Sequence, residues 1–149
     1  MRGRYGTQRR PFFQREILKM KNSWLYGAAT VLIAHLLWLA LIFIQSRVDW
    51  VMPGIVLMLF VVINIAGIAA FITALKAPRD PLPLALTMAP LTAAVMTAGN
   101  QVLVAAGSHL DFAGARGSVG LFSVALLYGL FVSAIGGLIG TWLAPRQPL

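Results

Sequence analysis

The sequence predicts an all-α integral membrane protein: an up-down-up-down bundle of four transmembrane helices with both termini in the cytoplasm. Three observations carry this. The chain of 149 residues is 59% hydrophobic and only 11% charged, whereas soluble domains carry about 25% charged residues. Four apolar runs reach the roughly 20 residues that a hydrocarbon core of about 30 Å requires, over residues 23–44, 51–75, 82–106 and 119–144. Short connections make neighbouring helices antiparallel, and the basic residues are distributed unevenly between the two sides.

The N-terminal arm, residues 1–22, holds Arg2, Arg4, Arg9, Arg10, Arg15, Lys19 and Lys21, opposed by Glu16 alone. Its first ten residues are expected to lack order. Phe13, Ile17 and Met20 then recur at helical spacing between charges, a pattern suited to a short helix on anionic lipid headgroups. A plain positively charged flank that sets topology is the simpler reading of the same arm. The membrane domain follows as residues 23–149. Its first helix is too long an apolar run for a signal-peptide core, so it is read as retained. Trp24 and Tyr26 stand at its inner end and His35 near its centre.

The second helix has Pro53 in its first turn, where a missing N–H costs little, and Asn64 near its midpoint. The third contains Pro90, which should kink it by freeing the carbonyl of Leu86. The fourth follows the longest connection, residues 107–118, with His109, Asp111 and Arg116. Orientation comes from Lys and Arg in these flanks. The arm, the second loop (Lys76, Arg79) and the C-terminus (Arg146) hold ten; the other two loops hold Arg47 and Arg116.

Helices in lipid associate through close backbone approach, which small residues permit. On a wheel of about 100° per residue, Gly129, Ser133, Gly136, Gly137 and Gly140 share one sector of the last helix. Ala85, Ala89 and Ala93 form a matching face on the third helix, its natural mate. Ala66, Ala70 and Ala74 form a third stripe on the second helix, which is then left for an external partner.

Polar groups at membrane depth require partners or a function. Here they are His35, Asn64, Asn100 and Gln101. His35 and Asn64 fall at similar depth on consecutive helices, which predicts a hydrogen bond between them. A structural bond of this kind is worth about 0.6 to 2 kcal/mol. A proton relay is the functional reading, and ligation of a haem by His35 is weaker still, because His109 lies in a loop.

The absences narrow the function. No Asp or Glu lies inside a span, so the intramembrane carboxylate of proton-coupled antiporters and the paired aspartates of membrane peptidases are missing. No cysteine is present, which removes disulfides and thiolate metal sites. His109 with Asp111 makes a poor metal site, and no catalytic set emerges, so no catalytic residue, metal or cofactor is expected. The basic excess describes a tail and carries no stacking aromatics on a folded scaffold, so nucleic acid is not an expected partner. The expected partners are anionic headgroups and other membrane subunits, or a second copy. Arg9, Arg10, Arg15, Lys19, Lys21, Lys76 and Arg79 are the docking candidates. Two functions remain: a non-enzymatic accessory or assembly subunit of a larger inner-membrane complex, and a small homo-oligomeric channel or transporter lined by the four polar residues. They differ in whether those residues converge on a cavity.

Overall fold

A computed structural model of the chain describes the backbone of residues 9–45, 52–77, 81–107 and 117–144, and side chains over 14–42, 64–77, 81–107 and 117–144. The described residues are all-helical: α1 (Arg9–Gln45), α2 (Met52–Lys76), α3 (Pro81–Leu86), α4 (Met88–Ala105) and α5 (Gly117–Leu143). Three stretches, Gln14–Ile42 in α1, Pro81–Ala105 across α3 and α4, and Gly117–Leu143, are long and apolar enough to cross a membrane. A shorter apolar segment covers Asn64–Lys76.

The helix expected to start at Ser23 starts at Arg9. Ser23 resembles a capping residue at an apolar boundary, yet it sits inside α1, its Oγ 2.9 Å from the carbonyl of Lys19 one turn back. Pro11 falls in the first turn of the observed helix, where proline is tolerated. The change from charged to apolar residues therefore marks a change of solvent, not of backbone. At 37 residues, α1 is about 55 Å long, well beyond a hydrocarbon core of about 30 Å.

Where Pro90 is expected to kink the third span, the helix is interrupted for one residue, between α3 and α4. Pro90 has no N–H for the Leu86 carbonyl, and the helix lapses at Thr87, one residue after Leu86. Thr87 keeps near-helical angles (φ −65°, ψ −13°), so the two helices continue one span. Pro90 occupies the first turn of α4, where no N–H is needed. At the far end, Gly107 adopts φ +75°, and its N–H donates to the Val104 carbonyl at 3.0 Å. Glycine stops the helix there because side-chain-bearing residues resist that conformation.

The helices pack in the ring order α1, α2, α5, α3–α4. Among the described residues α1 and α5 do not meet, and α2 touches α4 across the ring. Gly27 of α1 faces Ala69 and Thr73 of α2, while Gly67 and Phe71 of α2 face Gly136 and Gly140 of α5. Ser23, one turn earlier on α1, meets Lys76 further along α2, so the first pair of helices runs antiparallel, and the second parallel. The interior is rich in small residues: Ala66, Ala69, Ala70, Ala74, Ala85, Ala89 and Ala93 are all buried, around larger core side chains such as Trp38, Ile42, Ile65 and Met88. The exterior is large and apolar, with Leu36, Leu37, Leu127, Phe131 and Ile135 exposed. A water-soluble bundle would bury those side chains. Here the solvent is lipid, and burial goes to residues that let backbones approach. This is a membrane protein.

Candidate functional site

α2 meets every other helix, and the small sector of α5 seats two neighbours, α2 and α3–α4. A Cβ added to Gly129 would lie 3.3 Å from the Ala89 methyl, and one on Gly137 would lie 3.0 Å from that of Ala85. Gly136 is packed directly on the carbonyl of Gly67, and a Cβ on Gly140 would come within 2.7 Å of the Phe71 carbonyl and 2.9 Å of the Ala74 methyl. Ser133 is fully buried between the two neighbours, and its Oγ donates to the Ala66 carbonyl at 3.2 Å. The alanine stripe of α2 is therefore not left for an external partner: Ala66, Ala70 and Ala74 are almost wholly buried inside the chain. The small sector of α5 is wide enough to take α2 and α3–α4 side by side, which a pairwise matching of stripes does not anticipate.

The intramembrane polar residues disperse. His35 is buried in the core, 2% exposed. Its Nδ1 is 2.8 Å from the Val31 carbonyl; a carbonyl only accepts, so Nδ1 carries the hydrogen and Nε2 presents a lone pair. That Nε2 is buried without a hydrogen-bond partner. The ring meets Trp38 edge-on, with centroids 6.2 Å apart and planes at 77°, a favoured aromatic arrangement. The expected hydrogen bond from His35 to Asn64 is absent. Asn64 instead lines an open groove of about 300 Å³ between α2 and α5, with Gly67, Ile68, Val132, Ile135 and Gly136. Depth fixes the height of a residue on a helix but not the direction it faces, and Asn64 faces α5. Asn100 is buried in α4. Its neighbour Gln101 is exposed and donates from Nε2 to the Ser118 hydroxyl at the start of α5.

The remaining hydroxyls mostly satisfy themselves on their own helix. Thr73 donates to Ala69 at 2.8 Å, Thr92 to Met88 at 2.7 Å and Thr97 to Ala93 at 2.8 Å. Such back-bonding leaves little polar surface for a pathway.

The basic end of the bundle is the second polar region, and about one turn of α1, from Ser23 to Tyr26, ties it together. Ser23 Oγ lies 2.7 Å from the Lys76 carbonyl at the end of α2. Trp24 Nε1 donates to Thr87 Oγ1 at 3.1 Å, and Thr87 Oγ1 donates onward to the Leu84 carbonyl at 2.6 Å. The Lys76 ammonium stands 4.5 Å from the centre of the Tyr26 ring, within cation–π range. Arg15, Lys19 and Lys21 are exposed on α1. Ile17, Met20, Lys21, Trp24 and Leu84 line an open groove of about 330 Å³. Ser23 and Thr87 carry no motif that marks them as tying residues; the one signal for Thr87 is Pro90, which dictates where the helix lapses.

Asp111, His109, Arg116 and Arg79 lie outside the described residues, as do the side chains of Arg9 and Arg10. No cluster of three or more potential metal ligands occurs among the described residues. No protein family, curated protein or solved structure is found to match the chain.

Proposed function

We propose that the chain is a multi-pass protein of the bacterial cytoplasmic membrane, a four-helix bundle with both termini in the cytoplasm, that serves as a non-enzymatic accessory or assembly subunit of a larger membrane complex. The observation that carries this reading is the dispersion of its polar residues. Asn64 opens to one groove, Gln101 to the outer surface, and His35 and Asn100 are sealed in the core. A conduction pathway needs such groups to share one lumen. The chain offers instead a bundle with an apolar exterior and a cationic end, the equipment of a protein whose work is to be held beside others. The orientation rests on the excess of Lys and Arg at that end.

The test is purification of the tagged full-length chain from its native membrane in a mild detergent. Stoichiometric recovery of unrelated membrane subunits is the expected result. Recovery of the chain alone, as a monomer or homo-oligomer, overturns the proposal.

One observation favours a second reading, a small homo-oligomeric channel or transporter. The buried, unpartnered Nε2 of His35 is a costly group for a purely structural core, and a transported proton or polar solute would use it. Flux through the purified protein in vesicles that disappears in a His35→Leu variant would establish this reading in place of the first.

A further inference from the structure

The groove at the cationic end has a recognisable chemistry, which does not depend on the accessory role. Its walls are apolar: Ile17 and Met20 from α1, Leu84 from α3, and the indole of Trp24. Its single charged lining residue is Lys21. The indole is held in place, because its Nε1 is bound to Thr87 Oγ1, and Thr87 is held in turn by the Leu84 carbonyl. The lapse at Thr87 that Pro90 causes thus fixes one wall of the groove. The lysine stands three residues before Trp24 on α1, about 4.5 Å further out along the helix axis. Tryptophan marks the membrane–water interface, so the groove runs from the upper acyl region to the level of the phosphates. Lys76, at the end of α2, is engaged over Tyr26.

We infer that this groove is a binding site for an anionic glycerophospholipid, one acyl chain lying along Ile17, Met20, Trp24 and Leu84 and the phosphate-bearing headgroup meeting the Lys21 ammonium. The apolar trough selects a lipid over a soluble anion. The cation at its outer end, on a helix that also exposes Arg15 and Lys19, selects net negative charge over a zwitterion. A basic residue near an anionic surface contributes about fivefold to binding, and a seated headgroup concentrates that effect on one residue.

The test is native mass spectrometry of the full-length chain in detergent, titrated with dioleoyl phosphatidylglycerol or dioleoyl phosphatidylcholine. The parent should retain the phosphatidylglycerol adduct over the phosphatidylcholine adduct. Lys21→Gln should lower phosphatidylglycerol retention about fivefold and leave phosphatidylcholine nearly unchanged. Lys19→Gln, an exposed control on the same helix, should have little effect. Leu84→Trp, which fills the trough, should weaken both lipids. Equal retention of the two lipids by the parent overturns the site. So does an effect of Lys19→Gln as large as that of Lys21→Gln, since the attraction is then spread over the basic helix. Undiminished binding to a folded Leu84→Trp protein would show that the trough takes no acyl chain, and would overturn it as well.

Discussion

The two edges of α5 are built from the same residue type and meet different surfaces. Towards α2, Gly136 and Gly140 face main-chain carbonyls, those of Gly67 and Phe71. Towards α3–α4, Gly129 and Gly137 face the methyl groups of Ala89 and Ala85, and Gly137 also faces Leu82 Cδ1 at 3.1 Å. A leucine tip can yield by turning, and although the Ala85 and Ala89 methyls move only with their helix, distances of 3.0 and 3.3 Å ask it to shift by only a few tenths of an ångström. A carbonyl belonging to a hydrogen-bonded helix yields only if the helix moves. Small-residue patterning alone treats these glycines as equivalent, but only the α2 edge requires glycine absolutely. The parallel pair α2–α5 is the rigid seam of the molecule, and the antiparallel contact with α3–α4 is the adjustable one.

Alanine substitutions test this contrast directly, with unfolding free energies measured by denaturing-detergent titration. Gly136→Ala should be the most damaging, losing about 3 kcal/mol, the upper part of the range for overpacking. Gly137→Ala should lose about 1 kcal/mol, because part of the strain is relieved by Leu82. Ser133→Ala removes the bond to the Ala66 carbonyl without adding bulk, and should lose about 0.6 kcal/mol, typical of a polar contact between membrane helices. Gly129→Ala should fall within about 0.5 kcal/mol of the parent: its mild contact with Ala89 is offset by the helix preference of alanine over glycine, about 1 kcal/mol. If Gly129→Ala proves as harmful as Gly136→Ala, the two edges are equally tight and the contrast is broken. A harmless Gly136→Ala would show that α2 slides freely against α5.

Much of this packing is legible in the sequence, for a physical reason. Close approach needs small side chains, and Gly129, Ser133, Gly136, Gly137 and Gly140 fall in one sector at helical spacing. The lapse near Leu86 follows from Pro90 by covalent geometry alone. Azimuth was harder to read. In water, the polar face of a helix says where the solvent is, but α2 is apolar on every side, so nothing in its pattern points Asn64 towards α5 in preference to α1. The same ambiguity made the alanines of α2 look like an external surface. The start of α1 was obscured differently. Charged residues before Ser23 mark the edge of the lipid, and a helix has no need to stop there. The polar groups were found as residues, but their arrangement was not: height along a span follows from counting, whereas whether His35 meets Asn64 depends on helix rotation.

The hydroxyl bonds have a consequence for how the protein is made. Thr73, Thr92 and Thr97 each donate to a carbonyl of their own helix, as do Thr30 to Tyr26 and Ser123 to Val119, and the His35 ring does the same through Nδ1. These groups need no neighbouring helix to be satisfied. Each segment can leave the insertion machinery into lipid as it is synthesised, without waiting for a later segment to cover its polar atoms. The bond of Ser133 to Ala66, by contrast, joins α5 to a helix made before it. It can form only once α5 has been synthesised, so the α2–α5 seam assembles later than the contact of α1 with α2.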